Sequence, residues 1–145
     1  MRRITRAFAV AAIALLLSGG SIACHTSPDA PTVIDLTGAW AGTLPLRIPD
    51  EDWSRSQISL VQAGTTLTGE LSAPNATRYP LSGTVSSDGA NLTVGGLPGT
   101  STCASILLVV SGFEVRGGRV QSMFGRAMGS CYGTVDGAFE MRRIG

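Results

Sequence analysis

Few residues in this 145-residue chain are equipped for chemistry. There is one histidine, His25, no lysine, and three cysteines, Cys24, Cys103 and Cys131. The usual general bases and nucleophiles are therefore scarce. Carboxylates remain at Glu70, Glu114, Asp136 and Glu140. A carboxylate-pair hydrolase needs two acids in one cleft, about 5–9.5 Å apart, and nothing in the spacing brings two together. The chain reads as non-enzymatic, without a cofactor. It also reads as lacking a metal site, because its one histidine lies far in sequence from the Cys103 and Cys131 pair.

Residues suited to binding are better represented. Asp50-Glu51-Asp52-Trp53 sets an aromatic ring beside three carboxylates. Such a segment serves as a lid, a cation-binding rim or a partner contact. The plainer alternative is a solvated acidic loop whose tryptophan tucks over the end of the fold. Arg55 and Arg78 are expected at the same end, placed to pair with those acids. Trp40 is either a core plug or a platform for a ligand. Trp40, Asp50, Glu51, Asp52, Trp53 and Arg78 are thus the candidate ligand or partner contacts.

Cys24 closes a different pattern. Arg2, Arg3 and Arg6 precede an apolar run from Ala7 to Leu17, and small residues follow up to Ala23. A basic start, an apolar stretch and small residues before a cleavage point make an export signal. The charge-free stretch from Ala7 to Ala23 is at the lower limit for crossing a bilayer, so a plain N-terminal anchor is the competing reading. Ile22-Ala23-Cys24 resembles the bacterial lipobox, with Ser21 where leucine is usual. The resemblance implies that residues 1–23 form a signal helix that is removed. Cys24 is then acylated and holds the protein to a membrane of the cell envelope. His25 stands where, in that pattern, an aspartate directs retention in the inner membrane, so the outer membrane is expected. Residues 24–34, with Pro28 and Pro31, read as the lipidated cysteine and an extended tether, reaching at most about 35 Å.

Residues 35–145 are the right length for one domain. Once the three leading arginines are gone, eight basic residues face ten acidic ones, with no basic run. Nucleic acid is excluded as a partner on that ground. Cys103 and Cys131 are expected to form a structural disulfide in an oxidising compartment. Asn75-Ala76-Thr77 and Asn91-Leu92-Thr93 match the glycosylation sequon and are read as chance.

Nineteen glycines, seven prolines and the lack of any sustained 3.6-residue period argue against helices. Short alternating segments separated by turn signals predict an all-β fold. Eight strands are expected near 36–44, 57–62, 65–72, 79–87, 90–95, 103–115, 119–129 and 133–142. An apolar-x-Gly-x-apolar pattern recurs at Leu36–Trp40, Leu67–Leu71, Leu81–Val85 and Val135–Phe139. On a two-residue period its three marked positions share the inner face. A glycine there relieves crowding in a strongly curved sheet. Glu70 and Asp136, beside those glycines, should then point outward. The pattern predicts a closed eight-stranded antiparallel up-and-down barrel.

Two-residue turns are expected at Ala63-Gly64, Asp88-Gly89 and Gly117-Gly118. The longer connections alternate with them and so gather at the opposite end, the expected mouth. If Arg116 faces Arg119 across the last of these turns, the partner of Cys103 is position 132. That is one residue from Cys131, an offset that a bulge or a three-residue turn absorbs. The disulfide should therefore staple the sixth and seventh strands near the mouth.

Asp35-Leu36-Thr37-Gly38-Ala39-Trp40, Leu67-Thr68-Gly69-Glu70 and Arg78-Tyr79-Pro80-Leu81-Ser82-Gly83 resemble strands of the small avidin- and lipocalin-like barrels. The resemblance spans roughly residues 35–85 and implies a small apolar ligand at the mouth. Biotin is not expected, because the domain has only Trp40 and Trp53 where biotin binders use several tryptophans. Ile106 to Val110 are five consecutive apolar residues, and one barrel cannot hide both of their faces. Either the outer face is covered, or a bulge shifts the register. Met123, Phe124 and Met128 are expected to face this run and, with it, to form a self-association surface. The sequence points to a lipid-anchored envelope protein whose barrel is structural or holds a small apolar ligand. The alternative is a protein-interaction module, for example an inhibitor of a periplasmic hydrolase, acting through residues 45–56 or the sixth and seventh strands.

Overall fold

The computed structural model describes residues 34–47, 52–74, 77–97 and 103–145, with the Ala104 side chain excepted. Eight strands follow in order: β1 Gly38–Thr43, β2 Ser56–Ala63, β3 Thr66–Ser72, β4 Arg78–Val85, β5 Ala90–Val94, β6 Cys103–Arg116, β7 Arg119–Cys131 and β8 Thr134–Ile144. Each pairs antiparallel with the next, and β1 closes on β8 through pairs such as Trp40 with Arg143 and Gly42 with Met141. The fold is the closed meander barrel that the alternation predicts, and closure leaves no sheet edge around the ring.

Alternation drives the pattern strand by strand. Ser56, Ile58 and Leu60 of β2 are buried while Gln57, Ser59 and Val61 are exposed. Leu67 and Leu71, Tyr79 and Leu81, and Leu92 and Val94 follow the same rule. Glu70 and Asp136 point outward as expected and pair on the surface with Arg78 and Arg126. At Gly69 and Gly83 an added Cβ would overlap the carbonyl oxygens of Ser59 and Asn91 on neighbouring strands. Only glycine admits that approach of two backbones. Gly42 and Gly125 meet Glu140 and Val109 in the same way, although they fall outside the recurring pattern.

Three turns join strands at one end of the barrel. The β6–β7 turn is Gly117-Gly118, as expected. The β2–β3 turn is Gly64-Thr65 rather than Ala63-Gly64, because Ala63 pairs with Thr66 and Gly64 takes the left-handed φ of 61°. The β4–β5 turn holds four residues, Ser86–Gly89, not two. Ser86 N donates to Gly89 O at 2.8 Å and the Ser86 hydroxyl to Asp88 at 2.7 Å, which closes the wider loop.

The β6–β7 ladder carries three register shifts. One lies between Cys103 and Ile106, and it sets Cys103 directly opposite Cys131. The two form a disulfide with a Cα–Cα distance of 3.8 Å. A second lies at Ser111, and a third leaves an extra β7 residue between Val120 and Ser122. One expectation is corrected: Met123 lies in phase with the inward Gly125 and Ala127 and is fully buried, so it does not join Phe124 and Met128 on the outer wall. The register holds through Ile106–Val110. Ile106, Leu108 and Val110 are therefore buried, and Leu107 and Val109 are half-buried outside.

Candidate functional site

The barrel interior is filled by its own side chains. Trp40, Leu67, Leu92, Ile106, Leu108, Met123 and Met141 are all fully buried in one continuous core. An eight-stranded ring is just wide enough for side chains to fill it, and here they do.

At the end bearing the three hairpin turns, the segment before β1 crosses the opening. Leu36 is buried there, with its N–H bonded to Gln62 Oε1 at 2.9 Å. Trp40, from the start of β1, donates its indole N–H to Leu36 O at 3.1 Å. Arg143 lies over the Trp40 ring, its Cζ 4.4 Å from the centroid. The same guanidinium donates to Val120 O at 2.7 Å, to Thr37 O and to Asp35 O. One side chain thus ties β7 and the pre-β1 segment to β8, and burial pushes its pKa down from the usual arginine value. A planar fork with several donors suits this role; a lysine offers only a point charge.

The other end is closed by Leu44, Leu46, Trp53, Tyr79 and the disulfide. Asp52 caps a short 3₁₀ turn, Trp53–Arg55, by accepting from Ser54 N at 2.9 Å. Its carboxyl is held below the usual range by hydrogen bonds from the Ser54 side chain and backbone. The turn drops Trp53 inward, 3% exposed, with its ring centroid 5.7 Å from that of Tyr79. Trp53 O accepts from Leu44 N at 3.1 Å and from the Ser56 hydroxyl at 2.8 Å. Trp53 Nε1, by contrast, is buried without a hydrogen-bond partner. Trp53 is therefore tucked over a full interior.

Of the sequence-derived candidates, Trp40 and Trp53 occupy opposite ends and are both core plugs. Arg78 pairs with Glu70 at 3.0 Å. With Arg55, Gln57 and Pro74 it lines an outer-wall cleft of about 490 Å³. Asp50, Glu51 and Cys24 lie outside the described residues. A second outer cleft, about 510 Å³, is lined by residues including Ala41, Phe124, Ala138 and Arg142. Phe124 is 47% exposed, and its ring lies over Gly112 of β6. The residue that sequence reasoning missed is Arg143. Its signal was legible in the alternation Phe139, Met141, Arg143, which puts a charge on the inner face.

No protein-family model matches the chain, and comparison with curated proteins and with solved structures finds none that matches it either.

Proposed function

We propose that this chain is a lipid-anchored protein of the bacterial envelope. In this reading the barrel is a rigid, non-enzymatic module that acts through its outer surface. The observation that carries the structural half of the reading is the filled interior: both ends are plugged and the core from Trp40 to Met141 is continuous. A lipocalin-like carrier would need that space for its cargo. The anchoring half rests on the basic-apolar-small pattern that ends at Cys24.

Metabolic labelling with a fatty acid, followed by mass analysis of the mature N-terminus, tests the anchor. Acylated Cys24 in the membrane fraction is expected, with Cys24→Ala losing the label. A soluble, unmodified product would refute it. Native mass spectrometry of protein extracted from its own membrane tests the module. A stoichiometric co-purifying small molecule would overturn the filled-barrel reading. The interaction alternative is favoured by one specific observation, the exposed Phe124 and Met128 along β7 and Tyr132 just after it.

A further inference from the structure

We infer that the hairpin-turn end of the barrel lies against the lipid headgroups, with the Trp53 end facing away from the membrane. This rests on the reading of Cys24 as the acylated residue.

Four observations converge on that end. First, the chain enters the barrel there: Gly38 begins β1 opposite Leu60, close to the β2–β3 turn. Ten residues separate Cys24 from Ile34, and an unstructured chain of that length spans about 17 Å root-mean-square. An eight-residue strand such as β2 rises about 20 Å along the axis at the tilt of such barrels. The tether therefore keeps the near end at the bilayer, and only a taut tether would bring the far end to it. Second, β5 pairing stops at Ala90 with Val110 and β8 pairing stops at Arg142 with Ser122, so β6 and β7 run on past both neighbours as an arm, and residues 115–120 form its two-stranded tip beyond the ring.

Third, that arm ends in Val115-Arg116-Gly117-Gly118-Arg119, an exposed apolar residue with two arginines at its tip. Arginines beside apolar residues suit an anionic headgroup layer, with stems against the acyl boundary and heads at the phosphates. Fourth, Val61, Val115 and Ile144, at 62%, 53% and 41% exposed, all lie toward this end. Three acids share it, and each is engaged within the protein: Glu114, on the arm itself, pairs with Arg116 and accepts from the Ser122 hydroxyl at 3.1 Å. Asp35 accepts from Thr37 N at 2.8 Å, and Asp88 accepts from the Ser86 hydroxyl at 2.7 Å.

The test uses the full mature protein in phosphatidylethanolamine vesicles containing phosphatidylglycerol. Nitroxide labels are placed at Gly117→Cys, on the arm tip, and separately at Pro74→Cys, at the far end. Collision with a water-soluble relaxant should fall severalfold at Gly117 on vesicle binding and stay unchanged at Pro74. Arg116→Glu with Arg119→Glu should abolish the shielding at Gly117 while the protein remains bound. Acylated protein with an unshielded Gly117, or with Pro74 shielded instead, overturns the inference and leaves the anchor intact. An N-terminus without acyl chains overturns both.

Discussion

Cutting each tryptophan to phenylalanine makes the same chemical change at the two plugs, and the structure predicts opposite consequences beyond the shared loss of ring volume. Trp40→Phe removes the 3.1 Å bond to Leu36 O and leaves that buried carbonyl unpaired, at a cost of about 1–3 kcal/mol. It also weakens the stacking of Arg143, a contact of about 0.5–2 kcal/mol. Trp53→Phe removes an indole N–H that is buried without a partner, and so relieves a penalty of about 1–3 kcal/mol. A phenyl ring there still packs on Tyr79. Because indole-to-phenyl volume is lost in both, that term largely cancels in the difference. Trp40→Phe should therefore be the more destabilising by about 3–5 kcal/mol. Urea unfolding of the oxidised protein, followed by circular dichroism, reads this directly. At an m-value near 2 kcal/mol per M, the two midpoints should differ by about 2 M. Equal midpoints, or a lower midpoint for Trp53→Phe, would show that the end with Arg143 is not the one held by polar bonds.

Replacing both Cys103 and Cys131 by serine should cost about 3–4 kcal/mol of stability by freeing a 28-residue separation in the unfolded chain, with the strand content unchanged by circular dichroism. The carboxyls of Asp35, Asp52, Asp88 and Glu114 are all held below their ordinary range, chiefly by hydrogen bonds from Thr37, Ser54, Ser86 and Arg116 respectively. A lowered value favours the ionised form in the folded state. The stability it contributes is therefore present above the ordinary carboxylate range and is lost as pH falls below about 4. With no histidine after position 25 and both domain cysteines bonded, melting temperature should be flat from about pH 6 to 8; a step in that interval would contradict the assignment. The protein is expected to self-associate at high concentration through the outer wall of β6 and β7, and Phe124→Ser should suppress it. Light scattering that finds only monomer for the unaltered protein refutes this.

Period-two alternation and turn residues were enough to count the strands, place each within about two residues and order them as a meander. These signals are local: each depends on residues a few positions apart. The pairing of Cys103 with Cys131 was legible because one tight turn, Gly117-Gly118, propagates its register along both strands. The errors fell where a single residue shifts a register. Gly64-Thr65 displaced one turn, the Ser86–Asp88 bond widened another, and Met123 faces inward in phase with Gly125 and Ala127. The glycine pattern found Gly69 and Gly83 but not Gly42 and Gly125, because close backbone approach depends on the neighbouring strand.

Whether the barrel is hollow was beyond any local signal. It depends on how side chains from eight strands fill one ring, a sum over partners distant in sequence. The same holds for Arg143: Thr37 and Asp35, whose carbonyls accept from it, lie 106 and 108 positions away along the chain. Composition and alternation dictate a closed β-ring of eight strands. Closure of the chain decides that the ring is full, that its two tryptophans are buried at opposite ends, and that its apolar surplus faces outward.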